Sequence, residues 1–380
     1  MSQPMRTLLP LALAAVIAPS VSAQSVFDSE LRLAPQFVQY EIKAPNNEKI
    51  SELAIPVFVS IPFGSRFTFD VGTSYARARV TTGSALSEIN GLTDTQLRGN
   101  LTLGQDFVVL TGGVNLPTGK STVDLDQVTA AGRIGSDFLA FPISNMGTGL
   151  ALTGGIAIAR PIGDWNIGFG GAVRRSSEYE PFAGTATTLR FRPGDEYRAR
   201  VGLDHPMGNG RVSLGVTYSA FGDDEAGTSI YNTGNRIIAQ AVVTNNLSGA
   251  DVTLAAYNVF RAPGAYASGD PAGRENIANA YLGVGLNMLG TVVEPSVEVR
   301  SWLQDIPEIL TSTTSQARRT ASSYLGTFGL RTRIGMGGLS FFPSAGYTLG
   351  SLATLNSASA PTHADFTGFK AQLAVRIAAQ

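Results

Sequence analysis

The chain has 380 residues, no cysteine, 15% charged residues and a formal charge of −1, at a mean hydropathy of +0.10. These values exclude a disulfide scaffold and cysteine-based zinc sites, offer no strong field to gather nucleic acid, and are too polar for a bundle of membrane helices. The 43 glycines favour β-architecture, since each would cost about 1 kcal/mol in a helix interior.

Arg6, the apolar run at residues 8–19 and the small-x-small triplet Val21-Ser22-Ala23 have the form of a secretory signal peptide cleaved after Ala23. The run is too short for a membrane anchor, which needs roughly 20 residues. Residues 1–23 are therefore read as the leader and 24–380 as a single unit. Loss of the leader takes the basic count from 28 to 27 against 29 acidic residues, a formal −2.

The remainder repeats one pattern, segments of about ten residues that alternate apolar and polar. Leu53, Ile55, Val57, Val59 and Ile61 share a face, and Leu97, Leu101 and Leu103 stand against Gln96, Arg98, Asn100 and Thr102. Val293, Val297 and Val299 oppose Glu294, Ser296, Glu298 and Arg300. This is period two, the signal of a β-strand. It predicts strands over 33–43, 51–63, 67–80, 94–103, 106–116, 148–160, 164–175, 196–204, 211–221, 235–244, 251–261, 276–288, 292–303, 322–334, 339–349 and 366–378. Short turns alternate with longer polar links near 81–93, 117–147, 176–195, 221–234, 262–275, 304–321 and 350–364. The layout is that of an all-β, antiparallel, up-and-down transmembrane barrel with short periplasmic turns and long external loops. The count is sixteen strands, with fourteen as the nearest alternative, and both chain ends fall on the periplasmic side.

Alternation alone does not separate a membrane barrel from a soluble β-protein. The polar faces carry Gly, Ser, Thr, Asn and mixed charge, which suits a wet lumen. Phe67, Phe69, Trp165, Phe169, Tyr197, Tyr218, Tyr324 and Phe328 lie on apolar faces near strand ends, as interfacial girdles require. The expected location is the bacterial outer membrane. The chain ends Arg376-Ile377-Ala378-Ala379-Gln380, without the terminal aromatic that such barrels commonly present for assembly.

The stretch 93–120, TDTQLRGNLTLGQDFVVLTGGVNLPTGK, contains Asp94 and, at the end of the next strand, Leu116-Pro117-Thr118-Gly119. With Arg192-Pro193-Gly194-Asp195-Glu196 it resembles the outer-membrane transporter family related to the meta-pathway phenol-degradation proteins. The resemblance implies a channel for small molecules, hydrophobic or aromatic ones among them.

Several features bear on chemistry. Residues 113–121, GVNLPTGKS, look like a phosphate loop but place five residues, not four, between the first glycine and Gly-Lys. His205 falls in a predicted turn, and His363 with Asp365, Asp223 and Asp224 could meet only at the external rim. No catalytic residue, cofactor or metal is expected; a rim-site hydrolase is the weakest reading. The expected pore-lining charges are Arg98, Arg198, Arg200, Glu294, Glu298, Arg300, Arg331, Arg333 and Lys370, joined on polar faces by Asp204, Arg211 and Arg376. Arg or Lys facing mid-membrane lipid would cost about 2–4 kcal/mol, so these should point inward. They either form a selective constriction or an ion-pair network that fills the lumen; Glu294 and Glu298 should pair with Arg331 and Arg333. The link at 117–147 carries Leu125, Val128, Ile134, Phe138, Leu139, Phe141 and Ile143, more apolar groups than a solvated loop needs. It either folds into the mouth or lumen and narrows the pore, or packs on the external rim or extends the strands above the membrane. The leading function is passive passage of small solutes, and the alternative is an occluded structural or surface-interaction barrel. The surroundings implied are outer-membrane lipid, the barrel-assembly machinery and a solute, with no nucleic acid; a homo-oligomer stays open.

Overall fold

The computed structural model describes residues 30–43, 47–104, 107–184, 188–267, 272–288, 290–306, 319–336, 339–354 and 362–378. The leader and the cleavage site at Ala23 lie outside the described residues, as do 307–318 of the 304–321 link and 355–361 of the 350–364 link.

Sixteen strand positions close into one antiparallel barrel. The first is shared by β1 (Glu30–Leu33) and β2 (Gln36–Ile42), interrupted where Pro35 cannot donate to a ladder. Then come β3 (Glu48–Phe63), β4 (Phe67–Thr82), and a fourth position shared by β5 (Ala85–Leu92) and β6 (Thr95–Leu103). β7 (Val108–Leu116), β8 (Ala151–Ile162), β9 (Trp165–Ser176), β11 (Glu196–Met207), β12 (Gly210–Phe221) and β15 (Arg236–Leu247) follow. β16 (Ala250–Arg261), β17 (Glu275–Met288), β18 (Thr291–Ile306), β19 (Arg319–Met336), β20 (Leu339–Thr354) and β21 (Thr362–Ala378) complete the ring. β21 pairs with β1 and β2, so Leu31 lies opposite Ile377 and Tyr40 opposite Gly368. Closure leaves no unpaired edge for lipid to meet. A three-stranded sheet of β10 (Phe191–Arg192), β13 (Asp224–Ala226) and β14 (Ser229–Tyr231) stands on the external side.

The outer face is apolar. Ile61, Phe67, Leu101, Ile156, Trp165, Phe169, Tyr197, Tyr218, Leu254, Val299, Tyr324 and Phe328 are all exposed, a surface suited to hydrocarbon rather than water. Their alternates point inward, so the predicted polarity holds. Gly163 and Gly208 supply the positive φ (60° and 53°) that the tight turns after β8 and β11 require.

Two expectations change. Residues 81–93 are not an external loop: β4 and β5 continue as a paired ladder from Tyr75–Leu92 to Thr82–Ala85, joined by Gly83-Ser84. The strand predicted over 196–204 runs on through His205-Pro206-Met207, which leaves only a two-residue turn.

Candidate functional site

The link at 117–150 is an insert with a narrow neck. Where β4 passes from β5 to β6, the register slips by one residue, from Tyr75–Leu92 to Gly72–Gln96. The extra residue makes a bulge at 93–95, which re-aims a side chain. That side chain is Asp94. Its two oxygens accept from the backbone N–H of Gly119 (3.1 Å) and of Thr148 (2.7 Å), the two ends of the insert. Thr118 Oγ1 accepts from the Thr95 N–H at 2.8 Å, and the Lys120 N–H reaches the Leu92 carbonyl at 3.2 Å. A Cβ on Gly119 would stand 2.1 Å from the Met146 carbonyl oxygen and 2.4 Å from the Asp94 nitrogen. The Asp94 and Leu-Pro-Thr-Gly elements noted in the sequence thus fasten both strands of the neck at one carboxylate.

Beyond the neck, a 3-10 turn (Leu125–Gln127) leads into the short helix α1 (Val128–Ile134). Ser87 on β5 accepts the Ala130 N–H at 3.1 Å and donates to the Asp126 carbonyl at 2.6 Å. Arg133 pairs with Glu48 of β3 at 2.5 Å, and the Ile143 N–H donates to Glu52 of β3 at 2.9 Å. Tyr40 of β2 donates to the Leu139 carbonyl, and Arg300 of β18 donates to the Phe138 carbonyl. Asp137 meets Arg261 of β16 at 3.2 Å, and Phe138 stacks on Trp302 of β18 at 5.3 Å between centroids. β5 is the fourth position of the ring, β16 the eleventh and β18 the thirteenth. A segment held by all three lies across the bore, so the link folds into the lumen rather than onto the rim.

The insert divides the lumen unequally. Ile134, Phe138, Leu139, Phe141 and Met146 form a buried apolar cluster with Val38, Tyr40, Ile42, Ile50, Ala76, Val80 and Ile89 on one side. Ile277, Leu325, Leu352 and Phe366 join it on the other. All these wall residues belong to β2–β5 and β17–β21. The wall formed by β7, β8, β9, β11, β12 and β15 contributes none to that cluster. Its inward residues include Thr111, Thr153, Gly155, Gly170, Ala172, Ser213 and Thr217, with Arg174, Arg198, Arg200, Arg211 and Arg236.

The expected charges all lie at inward positions, and of the two expected pairings one forms. Arg98 pairs with buried Asp70 at 2.9 Å, and Ser60 and Asn100 also donate to Asp70. Glu294 pairs with Arg331 as expected, at 2.6 Å, and accepts from Tyr281. Glu298 does not pair with Arg333. It binds Arg300 at 2.6 Å, Lys370 at 3.2 Å and Asn279, which places it beneath the insert. Arg333 instead stands 5.8 Å over the Phe342 ring. Arg198 pairs with Glu196 at 2.7 Å, and Arg211 with Asp204 at 2.8 Å. Arg200 lies over Gly215, where a Cβ would come within 3.1 Å of its Nη2. Arg376 lies opposite Arg32. Arg174 and Arg236 escaped the sequence reading, although strand parity points to both. Arg175 is outward, so its neighbour Arg174 must be inward, and Arg236 precedes outward Ile237.

The histidines do not form the rim site considered above. His205 stacks on Trp165 at 4.5 Å near the periplasmic turns. His363 approaches Ser351 at 3.4 Å, while Asp223 and Asp224 are engaged with Asn232 and Gly194 in a loop several strands away.

No family model and no curated protein sequence matches the chain. Solved structures resemble it at low identity. OprB of Pseudomonas putida superposes with a TM-score of 0.45 and 9% identity, covering 91% of this chain and 94% of that one. The COG4313 outer membrane channel of Pseudomonas putida F1 gives 0.39 and 10%, covering 94% and 99%. CdiB of Acinetobacter baumannii gives 0.43 and 8%, covering 90% of this chain but only 60% of that one.

Proposed function

We propose that this protein is a channel of the bacterial outer membrane, exported with cleavage near Ala23, through which small solutes diffuse passively. The observation that carries this reading is the divided lumen. The insert packs against one side of the wall, while the strands from β7 to β15 keep their inward side chains, most of them small, polar or charged, outside the apolar cluster. A sixteen-stranded barrel is wide enough for an aqueous path unless it is filled, and here the filling is one-sided. The resemblance at 93–120 supports small hydrophobic or aromatic molecules among the solutes. Outer-membrane lipid and the barrel-assembly machinery are the implied partners, and no chemistry is assigned to the channel.

The test is conductance in planar bilayers and swelling of liposomes with solutes of graded size, for the mature chain and for a deletion of 122–142. The channel reading expects measurable conductance, rising several-fold on deletion because the insert occupies much of the bore. Conductance unchanged by deletion removes the insert from the permeation path. Absence of permeation by every solute in both proteins supports the occluded barrel instead.

A further inference from the structure

We propose that the open wall makes the pore select small anions, with Arg174, Arg200 and Arg236 as the selecting residues and carboxylates as the fitting solute class. The inference rests on the channel reading above and adds the charge of what passes. The inward positions of β9, β11, β12 and β15 carry five arginines, Arg174, Arg198, Arg200, Arg211 and Arg236, against two carboxylates, Glu196 and Asp204. The balance on this wall is therefore three positive charges, whatever hydrogen bonds each guanidinium makes.

The register arranges them as a stair. Arg174 lies opposite Glu196, Arg198 opposite Ser219, and Ser219 opposite Arg236. Two residues further toward the periplasm, Arg200 lies opposite Gly170 and Thr217. A tier of Gly168, Gly202 and Gly215 follows, then Asp204 opposite Asn166 and Ser213, then Arg211 opposite Pro206 and Thr244. Two residues along a strand span about 7 Å, so the upper guanidiniums form successive stations that a small anion can pass between. The neighbouring inward residues include Gly170, Ala172 and Thr217, which are small and half-exposed, with Phe221, Ile238 and Gln240 packed beside Arg236 and Gly215. Gly215 lies beneath the Arg200 guanidinium, where a Cβ would come within 3.1 Å of Nη2 and press it aside.

Asp137 on the insert bonds Arg261 at 3.2 Å and lies within Coulombic range of Arg236. Asp137 and Arg261 cancel, so the three positive charges of the wall set the field along the path. Low-dielectric walls focus such a field and raise the local concentration of the counter-charge. Guanidinium forks match carboxylates in geometry as well as charge.

The test is the reversal potential across a planar bilayer under a KCl gradient, with sodium benzoate and sodium acetate as further anions. The wild-type chain is expected to pass chloride several-fold better than potassium, a preference that shrinks at high salt. The variant R174Q/R200Q/R236Q is expected to lose most of that preference while still conducting. The corresponding triple lysine variant should keep it, because it retains the charge. E196Q/D204N should strengthen it. If the glutamine triple variant does not assemble, R200Q alone should shift the potential in the same direction by less. Cation preference in the wild type, or a triple variant with unaltered selectivity, overturns the inference and leaves the channel reading standing. Absence of conductance in both the wild type and the 122–142 deletion overturns the channel reading and this inference with it.

Discussion

From β17 through β21 to β5, the inward side chains at the level of the insert include Ile277, Leu325, Phe366, Tyr40, Ile50 and Ile89, all buried, among polar groups such as Glu52, Ser87 and Arg300 that bond the insert. From β7 to β15, the inward positions are mostly half-exposed and hold chiefly glycine, alanine, serine, threonine and arginine, with Glu196 and Asp204 and a few apolar residues such as Val109, Ile238 and Val242 that lie outside the cluster. Both walls belong to one continuous ladder with one outer face. The difference lies in what each wall meets. Facing the insert, a wall residue is in a protein core, where close packing of apolar groups stabilises. Facing the open bore, it meets water, and only small or charged groups leave a path. A barrel interior can thus be core and solvated surface at the same height, and the apolar side of the insert decides which strands become which.

The comparison breaks most completely at the neck. In Gly119→Ala, the added carbon would overlap the Met146 carbonyl and the Asp94 nitrogen, both backbone atoms with no rotamer to relieve them. The cost is expected to exceed about 3 kcal/mol, the upper part of the usual overpacking range. The insert should lose its seat, conductance should approach that of the 122–142 deletion, and external protease should cleave within 120–147. Retained protease resistance with unaltered conductance would show that the neck does not hold the insert. Asp94→Asn keeps an acceptor for one of the two N–H groups, so it should give a weaker form of the same result.

A paired measurement sharpens the contrast between the walls. Phe138 is 1% exposed, stacked on Trp302 and packed into the shared cluster. Truncation to alanine should cost about 3–5 kcal/mol of unfolding free energy. Thr217→Ala on the open wall removes a half-exposed hydroxyl and should stay within about 0.5 kcal/mol. Urea unfolding of the lipid-reconstituted protein, read by the heat-dependent gel shift of the barrel, compares them. Equal effects would mean that the two walls do not differ in packing.

The transmembrane ladders were legible because lipid outside and a polar lumen inside impose a period of two with fixed polarity. Strands such as 51–63, 211–221 and 251–261 follow it, and the structure keeps them nearly as predicted. Legibility fails where the surroundings reverse. Above Tyr75 and Leu92 the outward residues are Arg77, Arg79, Glu88 and Asn90, while the inward ones are Ala76, Ala78, Val80, Ser87 and Ile89, which face the insert. Water now lies outside and core inside, so a stretch that alternates with opposite polarity passes for a polar link. The same reversal makes Val38, Tyr40 and Ile42 inward residues. The inward direction of Arg98, Arg198 and Glu294 followed from parity. Their partners did not, because Glu298 is drawn to Arg300 and Lys370 by an insert whose path depends on contacts with distant strands.

The same hairpin provides the smallest test, through pH. Arg77 and Arg79 on β4 donate to Glu88 on β5 at 2.8 and 2.6 Å, outside the barrel and above its apolar belt. The two guanidiniums hold the Glu88 carboxyl down to about 2, from an ordinary value of 4.5. A depressed carboxyl contributes stability that is fully present above its unfolded value and is lost as pH falls through its folded one. The contribution should therefore persist from pH 7 to about pH 5, decline below that, and be gone by about pH 2. Solvent screening of an exposed pair keeps the effect small. It is still directed at the insert, because Ser87, one residue away on the inward face, holds Asp126 and Ala130. Glu88→Gln should loosen that contact at neutral pH and abolish its further loss on acidification. Amide exchange at Ala130, followed from pH 7 to pH 3 in both proteins, reads this directly. Identical pH dependence in the two would detach the hairpin's charges from the docking of the insert.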